Sequence, residues 1–508
     1  MSTQVTVHMI GQAHIDPIWL WPWQSGLDEV LATCRTACDL LDEYDDFIFT
    51  RGEAWSYQQI ELIDPELFAR IHRHIDNGRW EIVGGWWIQP DCNLPSGFGF
   101  AQQIAIGLEY LRSRFGFSPE IGYNVDSFGH AATLPGYMHD AGQRFYVMMR
   151  PQEHEKRLPA RLFRWRGYVD GPEVTTFRIA GAYTTGLFLP SMEHIQRSLT
   201  ELPEGITHTM CFYGVGDHGG GPTEESIRWI REHRHDLDGC ELVFSSPSRF
   251  FKAIEAQMST LPVVTGELQH HAIGCYSVQR GIKTRVRKAE HLLHQAEMML
   301  GAEQAHEQLQ TAWEQVCFNH FHDILGGTSI PSAYPQAYNQ LGFAASTADT
   351  VLQQGLRKKM NALPDAPLQR TVLCNASDSL YDGYTEFEPW TQWQAWPENG
   401  VLIGEDGNEL PYQLLPQESA TGTIPRLLTR VTIEPGAMQT IQLGTTATPK
   451  TVLPQVTVHN TTLANMDGLS LDLGTQQGLY FPGDIALPLP RLDLISDRSD
   501  NWSHGIDR

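Results

Sequence analysis

HMIGQAHIDPIWLW (residues 8–21) begins as an apolar, β-branched strand and breaks at a proline directly after a His-x-Asp pair. Side chains of an extended segment alternate between faces, so His14 and Asp16 project to the same side where the strand runs out. Three further stretches place a histidine or a carboxylate in a similar position: IGYNVDSFGHAATLPGY (121–137), CFYGVGDHGGGPT (211–223) and NHFHDILGGTS (319–329). Between them they offer His14, His322, Asp16 and Asp126 as candidate metal ligands, with Asp217 ahead of a glycine run. That set suffices for one divalent metal, one carboxylate nucleophile and one carboxylic acid.

Working outward, strand-like runs recur at 4–13, 47–51, 80–88, 120–126, 144–149, 208–215 and 241–245, most of them followed by Gly, Pro, Asp or Ser. Helical patterns such as 26–43 and 98–115 lie between many of them. Strand–helix alternation predicts parallel strands with right-handed crossovers, here an α/β fold built on a seven-stranded (β/α) barrel. Such a barrel gathers its active site at the C-terminal strand ends, where His14, Asp16, Asp126 and Asp217 all fall.

Near residue 279 the period changes. Ile282, Val286, Ala289, Leu293, Ala296 and Leu300 follow helical spacing, a second run covers 302–321, and a third covers 333–362. After Pro364 the texture turns alternating and turn-rich, as in RLLTRVTIEPGAMQTIQL. The expected domains are therefore a barrel over 1–265, a helical bundle over 266–365 that delivers His322, and the start of a β-sandwich-like domain over 366–508. The chain stops at DRSDNWSHGIDR without a terminating element, and a truncated last domain is expected.

With 508 residues, 41% of them hydrophobic, the chain can bury cores for two or three domains. Its formal charge of −24 argues against nucleic acid and anionic membrane surfaces as partners. No run of 18 apolar residues is present and the N-terminus lacks the pattern of a signal peptide. The eight cysteines include no CxxC pair and read as reduced thiols. A cytoplasmic protein is expected, with the Asn-x-Ser/Thr triplets at Asn375, Asn460 and Asn501 as chance matches.

Each motif also has a bland reading. An isolated His-x-Asp is usually a hydrogen-bonded pair, and His322-Asp323 would serve as a surface cap. Asp126 would be an ordinary turn residue, and Asp217 a loop aspartate. A phosphate-binding reading of Gly219-Gly220-Gly221 lacks the following Lys-Ser/Thr. Only the joint occurrence favours chemistry.

HIDPIWLW (14–21), NVDSFGHAATLP (124–135), GDHGGGPT (216–223), GELQHHAIGCYSVQRGIKTRVRKAEHLL (266–293) and NHFHDILGGTS (319–329) resemble, in this order, the signatures of family 38 glycoside hydrolases, the class II α-mannosidases. WWIQPDCNLPSG (86–97) places the resemblance nearer the intracellular and bacterial branch. The resemblance implies a retaining α-mannosidase acting on mannosides or oligosaccharides. It implies one divalent metal, zinc first with ions such as Co2+ as alternatives, on His14, Asp16, Asp126 and His322. Asp126 is then also the nucleophile and Asp217 the acid/base candidate. Trp19 and Phe128 resemble sugar-stacking residues and Arg150 is expected to orient Asp126, although core packing or a plain salt bridge would explain the same three. Asp91, His218 and Asp323 complete the expected substrate-contacting set, and a homo-oligomer is left open.

Two departures bear on these roles. His218 follows Asp217 where some members carry a second aspartate, and PSGFGF (95–100) replaces a Glu-containing PSGES. The rival readings are a metal-dependent carbohydrate deacetylase and a catalytically impaired sugar-binding fragment. The deacetylase would usually show a His-x-x-x-His pair at a strand end, and none is there.

Overall fold

The computed structural model describes residues 4–185, 190–216, 220–269, 271–417, 424–446, 457–464, 469–474, 477–483, 485–489, 496–497 and 506–507. The strands that carry the strand-end motifs belong to a set of ten: β1 (Val5–Gln12), β2 (Phe49–Arg51), β3 (Trp80–Ile82), β4 (Ile121–Asn124), β5 (Phe145–Met148), β6 (Leu162–Arg166), β7 (Glu173–Arg178), β8 (His208–Tyr213), β9 (Cys240–Phe244) and β10 (Val263–Thr265). β1 is buried on both faces beyond its first two residues, as expected of a parallel strand covered on each side. It pairs in parallel with β8 along Thr6–Gly11. Its other edge is shared between β9 at residues 5–9 and β2 at Gly11 and Gln12.

Two sheets result. The first runs β3-β2-β1-β8, with β9 also on β1, and all its pairs are parallel. The second runs β10-β6-β7-β5-β4 and contains one antiparallel pair, β6 with β7. The seven expected strands correspond to β1–β5, β8 and β9, but they do not close into a seven-stranded barrel. β3 stops at Ile82 because Gly84 and Gly85 both adopt positive φ, 72° and 73°, which ends the extended run expected over 80–88. Across that gap a single backbone bond, Gly84 N–H to the Ile121 carbonyl (2.7 Å), links the sheets. A second lone bond, from Thr185 N–H to the Gly214 carbonyl (2.9 Å), links them elsewhere. The β6–β7 hairpin, turning through Asp170 at φ 67°, adds an antiparallel element absent from the expected barrel. One apolar cluster nevertheless spans both sheets, with Ile10 and Phe212 from the first against Ile121, Val147 and Phe177 from the second.

The helix Trp23–Glu43 buries Leu27, Val30, Leu31, Cys34, Cys38 and Leu41, the apolar stripe visible in the sequence. Its contact with the loop after β1 depends on Gly26, where a Cβ would lie 2.1 Å from the Pro17 carbonyl oxygen. The helix Gly97–Phe115 is capped by Ser96, whose hydroxyl accepts from Gly99 N–H (3.0 Å), and ends at Gly116 with φ 78°.

The chain forms two compact units. One contains the described residues within 1–293 and 307–348, and the other those within 294–306, 349–497 and 506–508. The helices Arg280–Leu300, Ala302–Phe318, His322–Gly326 and Ala333–Asn361 occupy the segment expected as a helical bundle. In the second unit, antiparallel sheets pack around Leu402, Leu427, Val431, Ile433 and Ile441. Among the described residues, no helix is long and apolar enough to cross a membrane.

Gly26→Ala should therefore strain the loop that carries His14 and Asp16. Overpacking of this kind costs about 1–3 kcal/mol, read as a lower denaturant midpoint of the first unit. An unchanged midpoint would show that the helix yields without cost.

Candidate metal centre

Three separate segments bring four side chains together. β1 releases the chain at Ala13, so that His14 and Asp16 leave the strand end on one side. β4 ends at Asn124, two residues before Asp126. His322 opens the short buried helix His322–Gly326. One donor atom from each of His14, Asp16, Asp126 and His322 lies within 4.8 Å of all the others.

Individual distances set the shape. His14 Nε2 is 2.8 Å from Asp16 Oδ1 and 3.8 Å from Asp126 Oδ2. His322 Nε2 is 3.6 Å from Asp16 Oδ1 and 3.9 Å from Asp126 Oδ2. Ligands held ~2.0–2.2 Å from a shared ion stand about 3–4 Å from each other. Most of these separations already match.

Buried polar atoms normally find a hydrogen-bond partner. Among the described residues, His14 Nε2, Asp16 Oδ1 and His322 Nε2 are buried without one. His322 Nδ1–H donates to the Gln89 carbonyl (2.9 Å), which fixes the tautomer with the Nε2 lone pair facing the cluster. Burial opposes charge on His322, yet Asp16, Asp323 and Asp126 push its pKa up to about 10. His14 is likewise raised against its burial by Asp16 and Asp126. Asp16, which burial alone would raise, is pulled down to about 2 by the two imidazoles. The centre thus carries a negative field that favours positive charge, and two imidazoles with two carboxylates can supply that charge by holding a divalent metal.

Asp126 differs from the other three. It is 9% exposed, while His14 and Asp16 are 1% exposed and His322 0%. Its Oδ1 receives the Arg150 guanidinium, through Nε at 2.7 Å and Nη2 at 2.7 Å. Its Oδ2, the oxygen nearer the imidazoles, accepts from the Tyr183 hydroxyl at 3.3 Å. Arg150 also donates to His271 Nε2 (2.6 Å), so His271 Nδ1–H turns to Glu155 Oε1 (2.5 Å). Tyr183, His271 and Glu155 are not marked by the sequence as site residues. His271 lies within GELQHHAIGC without standing out there, and nothing in AGAYTTG marks Tyr183.

The remaining expected residues surround this core at varying depth. Phe128 is 2% exposed and meets the His322 ring edge-on at 5.7 Å, with Arg150 over its face at 6.0 Å. Trp19 is half-buried, packs edge-on against Trp21 at 5.6 Å, and its carbonyl accepts from Ile330 N–H (2.8 Å). Asp91 is fully buried, and its Oδ1 accepts from Asn93 N–H (2.8 Å) and Leu94 N–H (2.7 Å). Asp323 lies with its Oδ2 3.8 Å from His322 Nε2, accepts from the Thr328 hydroxyl, and is raised to about 8 chiefly by burial. Asp217 and His218 lie outside the described residues. The stem of their loop is described: Val215 N–H donates to the Gly221 carbonyl (3.1 Å) and Gly216 N–H to that of Gly220 (3.1 Å). That stem continues β8, whose Tyr213 pairs with Gly11 of β1.

Comparison with known proteins adds a family. Residues 4–272 match the family model for the glycosyl hydrolases family 38 N-terminal domain, and residues 270–358 match that for the alpha mannosidase middle domain. The chain is 29% identical over 366 residues to alpha-mannosidase 2C1 of Homo sapiens, which covers 69% of this chain and 35% of that protein. It is 30% identical over 342 residues to alpha-mannosidase G of Dictyostelium discoideum, covering 66% and 31% respectively. The chain thus spans about a third of the length of these curated relatives. An alpha-mannosidase from Enterococcus faecalis V583 superposes with a TM-score of 0.74 at 16% identity, over 94% of this chain and 60% of the other, which shows a shared mixed α/β fold.

If the cluster holds an ion, protein dialysed against zinc and then against metal-free buffer should retain one equivalent by elemental analysis. The double variant His14→Ala/His322→Ala should retain only a trace. A full equivalent on that variant would place the metal elsewhere.

Proposed function

Because the chain belongs to the glycosyl hydrolases of family 38, we propose that it carries the machinery of a retaining α-mannosidase, which removes terminal α-D-mannosyl residues from oligosaccharides or mannosides. The observation that carries this reading is the position of Asp126. It is the most accessible member of the buried four-residue cluster, and its two oxygens face different partners.

On this reading His14, Asp16, Asp126 Oδ2 and His322 hold one divalent ion, zinc in the first instance. When bound, that ion supplies a Lewis acid able to grip neighbouring sugar hydroxyls and orient the ring. Arg150 fixes Asp126 Oδ1, the oxygen away from the imidazoles, and Tyr183 steadies Oδ2. Asp126 Oδ1 attacks the anomeric carbon while the glycosidic C–O bond breaks and Asp217 gives its proton to the leaving oxygen. Asp217 then takes a proton from water, whose oxygen displaces Asp126 and releases mannose with its configuration retained. In retaining enzymes the two carboxyl groups stand roughly 5–5.5 Å apart. Trp19 offers a stacking surface, Phe128 seats the His322 ring, and Asp91, Asp323 and His218 support the pocket or its acid. Residues 1–265 form the catalytic domain, 266–365 a helical middle domain and 366–508 a β-rich domain. The meeting of the two matched family regions near residue 270 supports the first of these boundaries. The same reading places the protein in the cytoplasm.

Hydrolysis of p-nitrophenyl α-mannoside is the direct test, and Asp126→Asn should abolish it. Asp217→Asn should spare a dinitrophenyl mannoside, whose leaving group needs no proton, and lose ~10²–10⁴-fold on a disaccharide. Azide should rescue Asp217→Asn as an α-mannosyl azide. Equal losses on good and poor leaving groups, without azide rescue, would remove Asp217 from the role of acid.

A further inference from the structure

Gln89 lies beyond the break of β3 and is 3% exposed. Every hydrogen-bonding group it offers to the centre is used. Its carbonyl accepts from His322 Nδ1–H (2.9 Å). Its side-chain Oε1 accepts from Val125 N–H (3.1 Å), the peptide before Asp126. Its Nε2 donates to Glu53 Oε1 (2.5 Å).

Glu53 extends the connection. It is 6% exposed and held at φ 60°, a left-handed conformation that costs free energy for a residue with a side chain. Its Oε2 lies 3.2 Å from Nη2 of Arg51, which is 1% exposed. Arg51 Nη1 donates to the carbonyl of Ala13, the residue before His14 (2.8 Å). One buried polar chain, Ala13–Arg51–Glu53–Gln89, therefore ties the segment carrying His14 and Asp16 to those carrying Asp126 and His322.

We propose that Gln89 and Glu53 are positioning residues for the metal centre, with Arg51 anchoring them to β1. Gln89 sets the tautomer and angle of His322 and the register of Asp126 at once, so a displacement at position 89 moves two ligands. The inference rests on the reading of the cluster as a metal site. Buried ion pairs contribute little net stability. Arg51 and Glu53 Oε2 meet as an ion pair with no hydrogen bond to Oε2 among the described residues, while second partners of metal ligands are typically worth 10–100-fold in metal affinity.

The test uses the zinc-loaded protein challenged with a chelator, and the cobalt-loaded protein read by its visible absorption. Gln89→Glu sets two carboxylates against each other and loses the Nε2 donor. It should release metal roughly 10–100-fold faster and shift the cobalt bands, as should the neutral, shorter Gln89→Asn. Adding Glu53→Gln to Gln89→Glu restores a donor, now on position 53, facing an acceptor on position 89. The exchange should recover both readouts. A Gln89→Glu chain that fails to fold while the exchanged pair folds supports the same coupling. Wild-type release rates and cobalt spectra in both single variants, or no recovery in the exchanged pair, would overturn the proposal. A wild-type protein that holds no metal would instead defeat the underlying reading.

Discussion

Three buried atoms that have no hydrogen-bond partner among the described residues, His14 Nε2, Asp16 Oδ1 and His322 Nε2, face a common point. A buried polar atom without a hydrogen bond costs roughly 1–3 kcal/mol, and here three converge with only charge contacts to one another. A chain selected for stability alone would fill such a place with apolar side chains. Retaining two imidazoles and two carboxylates there makes sense when a cation completes the set, since the attraction to the ion then offsets the desolvation of all four. The raised His322 and the lowered Asp16 express the same constraint, a field that favours positive charge.

The surrounding architecture reflects the need to bring together residues that are distant in sequence. β1 and β4 lie in different sheets joined by isolated backbone bonds, so their ends are free to be set by side chains rather than by a closed ladder. Arg150 serves Asp126 from beyond β5, and its partner His271, from a distant segment, is held in turn by Glu155 of Arg150's own stretch. The close approach at Gly26 seats a helix directly on the loop after β1. Precision at the centre thus derives from polar contacts between loops, with the strands fixing only where each loop begins.

The sequence made some of this visible and hid the rest for physical reasons. Strands β4 and β8 were legible because buried parallel strands read as largely apolar runs that soon meet Gly, Pro or Asp, and β1 because its apolar stretch ends at the His-x-Asp-Pro break. β6 and β7 were missed because LFRWR and EVTTFR place charges on a sheet that does not have two covered faces throughout. The barrel expectation failed where Gly84 and Gly85 turn, since two glycines in GGWW signal a break without fixing the direction the chain takes beyond it. His14, Asp16 and Asp126 could be picked out because strand-end position and motif agree, whereas His322, which opens a helix and follows no strand, was legible from its motif alone. Gln89, Tyr183 and Glu155 could not, because each gains its role only from partners many residues away, as with the 233 positions between Gln89 and His322.

The central claim is that Asp126, held by this cluster and the most accessible of its four members, attacks the sugar. A slow fluorinated mannosyl fluoride, which accumulates a covalent glycosyl-enzyme, tests it most directly when the protein is digested and its peptides weighed. The expected result is one mannosyl adduct on the peptide that contains Asp126. An adduct on any other carboxylate, in protein that still hydrolyses α-mannosides, would contradict it.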